Sequence, residues 1–439
     1  MTVRRLVVAV RHRPWAVLLL AVLLVVGVAQ AAVLLLEPRG GIVTPDDVRA
    51  SAYFTAEQIA RAEAYRAPLV PIHVAQTLIG IVVLAAVARR PPRALAGGGT
   101  PLRRHARVAL AAAGLAVLLA AAAIPLRIVG RIRGIDVGLI TRSWGGWIVD
   151  VLMQAAIQAA LWALVAVVLV ALVRRFPRRW WIAGSGGVAV AAVVLVFVTP
   201  LVIDPLFNRF DPLEGPLRAD VERLADRAGV DVGEVYVMDA SRRTTAANAY
   251  VTGLGRSKRV VLYDTLVERY PRDEVRFVVA HELAHQREHD VRGAILFVVI
   301  VGPVCLFAVA VAVRRIGPGA PNGGQLAGAD GAGPGDGGTG PTGADARLVP
   351  ALALALAVVV PVVTTVSNQL SRSVEARADS VALRLTDDPD ALVDFRRRST
   401  VRNVSDPDPG RLGHVLLGTH PTSVERIGAA EAWRRGVRP

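Results

Sequence analysis

Hydrophobic residues gather into seven long runs, near 15–36, 68–88, 106–125, 146–173, 181–203, 292–313 and 348–367. Each approaches or exceeds the roughly 20 apolar residues that span a hydrocarbon core about 30 Å thick. Seven transmembrane helices are therefore expected. The first run, WAVLLLAVLLVVGVAQAAVLLL, follows a basic start and contains AQA, so a cleaved signal peptide competes with a retained anchor. Its apolar stretch continues past AQA to Leu36, which favours the anchor.

The polar stretches carry shorter periods. In PLRADVERLADRAGV, Leu217, Val221, Leu224 and Ala225 fall on one helical face, with Pro216 suited to the start and Gly229 to the stop. VGEVYVMDA alternates as a strand, and NAYVTGLGRSKRVVLYD reads as a hairpin, with strands near 248–252 and 259–263 and a turn containing Gly253 and Gly255. A helix follows from about Asp273, its acidic start matching the positive helix terminus. After the seventh run, SNQLSRSVEARADSVALRL (367–385) contains neither Pro nor Gly, so the membrane helix is expected to continue into the polar phase.

The expected class is mainly α: seven transmembrane helices with a small α+β unit. The division is five spans in 1–203, an α+β segment in 204–291, the sixth span in 292–313, a linker in 314–347, the seventh span in 348–367 and a C-terminal segment in 368–439. The Gly-rich stretch from 317 to 346 cannot build a core and reads as a flexible linker.

Composition agrees that the bilayer is the solvent, with 53% hydrophobic residues and a mean hydropathy of +0.45. The net charge of +15 comes largely from arginines in short loops beside the apolar runs. That placement argues for lipid contacts and topology rather than nucleic-acid binding. Arg-rich coding and multiple spans point to a bacterial plasma membrane, and a monomer is expected. The single Cys305 lies inside the sixth run, which leaves neither a disulfide framework nor a cysteine metal site.

Candidate chemistry begins in FVVAHELAHQREHD (277–290). His281 and His285 are four apart on the predicted helix, so both imidazoles leave one face. Two neutral nitrogens so placed reach one Zn²⁺ at about 2.0–2.1 Å, with Glu282 close enough to act on its water. The spacing arises by chance in roughly one such sequence in a hundred, so it needs a further ligand. His12, His73 and His105 flank runs and read as interfacial, whereas His289 and His414 have no evident partner.

Glu375 and Asp379 share a face of the continued seventh helix, where a solvated acidic face pairing with Arg372 or Arg377 is the plain alternative. Two rulers favour chemistry. At 1.5 Å per residue, His285 lies roughly 9 Å before the sixth run and Glu375 roughly 12 Å after the seventh. Two spans separate them, so both emerge on one side of the bilayer. A site of His281, His285 and Glu375 with water in the fourth position is thus sterically natural, and Asp379 is placed to hold a ligating imidazole.

These motifs resemble the CAAX prenyl endopeptidases, integral-membrane gluzincin metallopeptidases related to the HtpX proteases. The resemblance covers about 200–430, with DPLFNRFDPLEGPLRADVERLA, VYVMDASRRTTAANAYVTGLGRSKRVVLYDTL, VVAHELAHQREHD, SRSVEARADSVAL and HPTSVERI in family order. It implies a zincin-like domain holding one Zn²⁺ on His281, His285 and Glu375, with Glu282 as base. It further implies Asp379 as the ExxxD aspartate, sometimes a proton donor, and His420 and Arg426 as residues that steady substrate and oxyanion. Asn248, Ala249 and Tyr250 are the implied edge strand for substrate backbone. Ala284 and Gln286 stand where the family often has Gly and Trp. The implied activity is hydrolysis of membrane-associated or CAAX-like C-terminal peptides. An HtpX-like quality-control protease is the alternative within the class, and a non-catalytic transporter or scaffold the alternative outside it.

Overall fold

The computed structural model describes residues 14–92, 100–253, 258–316 and 345–439, so His12, Gly255 and nearly all of the expected linker lie outside the described residues. Helices α1 (Pro14–Leu36), α2 (Ala56–Arg66), α3 (Leu69–Arg89), α4 (Pro101–Asp136), α5 (Trp144–Arg175) and α6 (Trp180–Val198) build the N-terminal part. Beyond it come α7 (Pro216–Ala228), α8 (Asp264–Arg269), α9 (Arg272–Arg287), α10 (Asp290–Ile316), α11 (Asp345–Thr386), α12 (Pro389–Arg402), α13 (Arg411–Leu417) and α14 (Ser423–Arg434). Seven of the described helices are long and apolar enough to cross a membrane, matching the seven runs.

Several spans outrun their apolar stretches. The third run ends near 125, yet α4 continues to Asp136, because hydropathy marks only the part inside hydrocarbon and good helix formers such as Arg127 and Arg131 extend it. Ala21 and Val25 of α1 pack with Trp180, Leu306, Val309, Leu352 and Ala355, and Ala29 and Val33 pack with Phe297, Val301 and Val366. The first helix is therefore an integral member of the bundle. Apolar side chains such as Leu19, Val82, Leu152 and Val190 stay exposed on the outer faces, as a lipid-facing surface requires.

The polar part carries a four-stranded sheet ordered β1–β2–β4–β3, from Phe210–Pro212, Glu234–Met238, Arg259–Tyr263 and Ala249–Thr252. The expected hairpin is the antiparallel pair Ala249↔Leu262 through Thr252↔Arg259. The short β1, antiparallel to β2, was not expected: three residues are too few to show alternation. α7 ends at Gly229 with φ +67, the left-handed cap its sequence suggests.

One core joins the α+β segment to the C-terminal segment. Phe277 and Leu283 of α9 are fully buried with Val221 and Leu224 of α7, Leu383 of α11, Leu392 of α12 and Ile427 of α14. Each such side chain contributes about 1.5–3 kcal/mol. This packing fixes the relative height of α9 and α11, on which the site depends.

Candidate metal centre

His281 Nε2 lies 3.2 Å from Glu375 Oε2, His285 Nε2 lies 3.5 Å from Glu375 Oε1, and the two Nε2 atoms are 3.3 Å apart. Bonds of about 2.0–2.1 Å at tetrahedral angles place neighbouring donors about 3.3 Å apart, so the three atoms form the face of a metal tetrahedron. Among the described residues this is the one His, Cys, Asp or Glu group so placed.

The outer nitrogens explain why both Nε2 atoms converge. His281 Nδ1 contacts Asp379 Oδ1 at 2.9 Å, and His285 Nδ1 contacts Asp290 Oδ2 at 2.8 Å. Each carboxylate accepts the Nδ1 proton and leaves an Nε2 lone pair facing inward. Two lone pairs opposed at that distance, with the buried Glu375 Oε2 making no hydrogen bond, form a trap that a cation relieves. The residues present therefore fit a metal ion.

Burial alone would lower the His281 pKa, but the Asp379 and Glu375 carboxylates outweigh it and raise it to about 9, so that a proton competes with a metal for this nitrogen. Burial pushes the Glu282 carboxyl above its ordinary value, against the pull of His281 and His285. Glu282 is half-buried on α9 between the two histidines in sequence.

Asp379 and Arg426 sit deeper than their expected roles suggest. Both are buried, the Arg426 Nη2 donates to Asp379 Oδ1, and it also lies 3.4 Å from His281 Nδ1. The His281 and Arg426 contacts both fall on the Oδ1 oxygen of Asp379, behind the His281 ring rather than on its metal-facing side. His420 differs. It stands in the loop before α14, Thr419 Oγ1 contacts its Nδ1 at 2.9 Å, and its Nε2 lies 3.3 Å from Glu375 Oε2. A hydroxyl donated to Nδ1 leaves the ring proton on Nε2, facing the centre.

The plain alternative for the acidic pair fails in detail. Arg377 binds Asp290 and Glu288, and Arg372 donates to the carbonyls of Gly418 and His414, so neither pairs with Glu375 or Asp379.

β3 is an edge strand. Tyr263 N–H donates to the Asn248 carbonyl, so alternation turns the backbone groups of Ala249 and Val251 outward. The Val251 carbonyl accepts from Gln286 Nε2 at 3.3 Å, which ties the strand to the HExxH helix. Asn248 is exposed, whereas the Tyr250 hydroxyl donates to Asp204.

Sequence reasoning missed Asp290. It lies five residues after His285, off the helical face, and reaches back because His289 breaks the helix with φ +57. The aspartate following HExxH was visible, but a left-handed histidine is not a pattern that periodicity reveals. His73 and His105 lie on α3 and α4, away from the cluster, and His414 takes no part in it.

The model of peptidase family M48 matches residues 213–434, and that of the CAAX prenyl protease N-terminal region, five membrane helices, matches 136–209. An uncharacterized metalloprotease of Bacillus subtilis, YhfN, is 28% identical over 72% of this chain and 71% of its own. CAAX prenyl protease 1 of Saccharomyces cerevisiae is 34% identical over 34% of each chain. The crystal structure of S. mikatae Ste24p superposes with a TM-score of 0.67 at 21% identity, covering 94% of this chain and 99% of that one. The HExxH helix, the Glu375 helix and the HPTSVERI segment all fall inside the first matched region, and this membrane metalloprotease chain belongs to peptidase family M48.

Proposed function

We propose that this protein is a zinc endopeptidase that cuts peptide segments near the C-termini of membrane-associated proteins. The convergence of His281, His285 and Glu375 at tetrahedral spacing carries the reading. The N, N, O donor set suits Zn²⁺, which when bound acts as a Lewis acid and lowers the pKa of a water toward about 7.

The chain's own groups do the rest. An extended peptide pairs with the edge strand β3 beside the exposed Asn248, and main-chain hydrogen bonds hold its scissile carbonyl against the centre. Glu282, its pKa raised by burial, takes the proton of the attacking water and returns it to the leaving amine. His420 Nε2–H donates to the oxyanion that develops on the carbonyl, the kind of contact that contributes a few kcal/mol. Asp379 and Asp290 orient the two imidazoles. Arg426 fixes Asp379, and Arg377 fixes Asp290.

The CAAX prenyl protease relatives and the Ste24p fold favour C-terminal processing over the quality-control alternative, and the family excludes a merely non-catalytic scaffold. The Bacillus relative supports a bacterial plasma membrane.

Glu282→Gln should reduce peptide hydrolysis at least about 100-fold while one zinc per chain remains by elemental analysis. Cleavage that persists in this variant removes Glu282 from its role. Purified protein without bound zinc removes the metal assignment.

A further inference from the structure

The arginines around the metal centre are tied to partners, with one exception. Arg426 binds Asp379, Arg377 binds Asp290, Arg372 donates to the Gly418 carbonyl, and Arg398 binds Glu274 at 3.1 Å. Arg396 on α12 makes no ion pair among the described residues; its guanidinium carbon lies 4.6 Å from the centroid of the Phe395 ring, and its Nε is buried without a hydrogen-bond partner. It stands one turn from Leu392 and Thr400, so it shares the inward face of α12, yet it stays partly open to solvent.

Arg396 lies within electrostatic reach of the candidate centre. The Arg396 guanidinium feels the charges of Arg426, Asp379 and Glu375, and it acts in turn on His420. Thr400 Oγ1 contacts Ser423 Oγ at 2.8 Å, which joins α12 to the start of α14 just after His420. Burial and the neighbouring Arg426 pull the Arg396 pKa down to about 9, against the pull of Asp379 and Glu375, as befits a buried cation with no carboxylate in contact. An incoming anion would supply what the fold does not, since much of the desolvation cost is already met in the free protein.

We propose that Arg396 recognises a carboxylate of the substrate peptide a few residues from the cleaved bond, either its free C-terminus or an acidic side chain. This rests on the peptidase reading above and adds a specificity-determining residue to it.

Three matched peptides test it on the full-length protein in lipid nanodiscs: one ending in a free carboxylate, one in an amide, and one amide with Asp as its last residue. The wild type should cleave the free acid with kcat/KM about 10- to 100-fold above the plain amide, the span of a hydrogen bond to a charged group. In Arg396→Gln that ratio should fall toward unity, and in Arg396→Lys part of it should return, since a point charge replaces a bidentate fork. If the Asp-ended amide regains the advantage, an acidic side chain serves as the source; if it does not, the terminus does, and either supports the proposal. Equal cleavage of acid and amide by the wild type, or a ratio that survives in Arg396→Gln, overturns it. So does an equal loss on all three peptides accompanied by lower zinc content, which would make Arg396 a structural counter-charge. Cleavage of none of the peptides by the wild type would instead strike the peptidase reading, a separate result.

Discussion

Asp290 shows how much one backbone angle contributes at the residue scale. A helix continued through His289 would carry the aspartate away from His285, whereas the left-handed turn at φ +57 returns it to 2.8 Å from Nδ1. Carboxylates behind ligating histidines fix the ring tautomer and raise ligand basicity, and their loss typically costs 10–100-fold in metal affinity. Asp290→Ala should weaken zinc binding by about that factor, read by titration against a competing chelator. Unchanged affinity would show that the Asp290 contact leaves the ring free to turn. The HExxH spacing, Glu282 and the Glu375–Asp379 pair were legible because helical periodicity alone places them. Asp290 was not, because it depends on a left-handed backbone turn, and the setting of Arg396 was not, because it depends on neighbours distant in sequence.

At the scale of elements, the strongest dependence lies where α14 meets the segment after α1. A Cβ on Gly428 would sit 2.2 Å from the Asp46 carbonyl oxygen, and the Gly428 carbonyl itself accepts from Asp46 N–H at 3.0 Å. Backbone meets backbone there, so no flexible side chain can give way. Gly428→Ala should lower stability by about 1–3 kcal/mol, visible as a lower thermal midpoint of the purified protein. A midpoint equal to that of the wild type would mean that the 43–48 segment detaches freely. The hairpin and the HExxH helix were plain in the hydrophobic pattern, and so was the run of α11 beyond the membrane to Thr386. The strand β1 was not, since its identity comes from pairing with β2.

Across the whole molecule, the membrane part grips the loop that leads into the edge strand. Asp150 on α5 takes Arg142 at 3.1 Å and Arg243 at 3.3 Å, and Arg243 also donates to Asn208. Thr141 and Thr244 add backbone pairing between the α4–α5 loop and the approach to β3. Removing Asp150 leaves two half-buried guanidinium groups without their carboxylate. Asp150→Ala should cost about 3 kcal/mol, measured as a lower thermal midpoint with zinc content retained. No loss would place the tie outside the stability of the fold.

The sequence by itself determined seven spans, the character of the polar segments and the residues able to ligate a metal, since hydropathy and helical spacing are local properties of the chain. Tertiary structure alone decided which nitrogens face one another, which carboxylates stand behind them and which arginine beside them makes no ion pair among the described residues. Those outcomes depend on how deeply α9, α11, α12 and α14 sink into a shared core, and depth is set by packing of α9 against segments as distant in sequence as α14, over a hundred residues on.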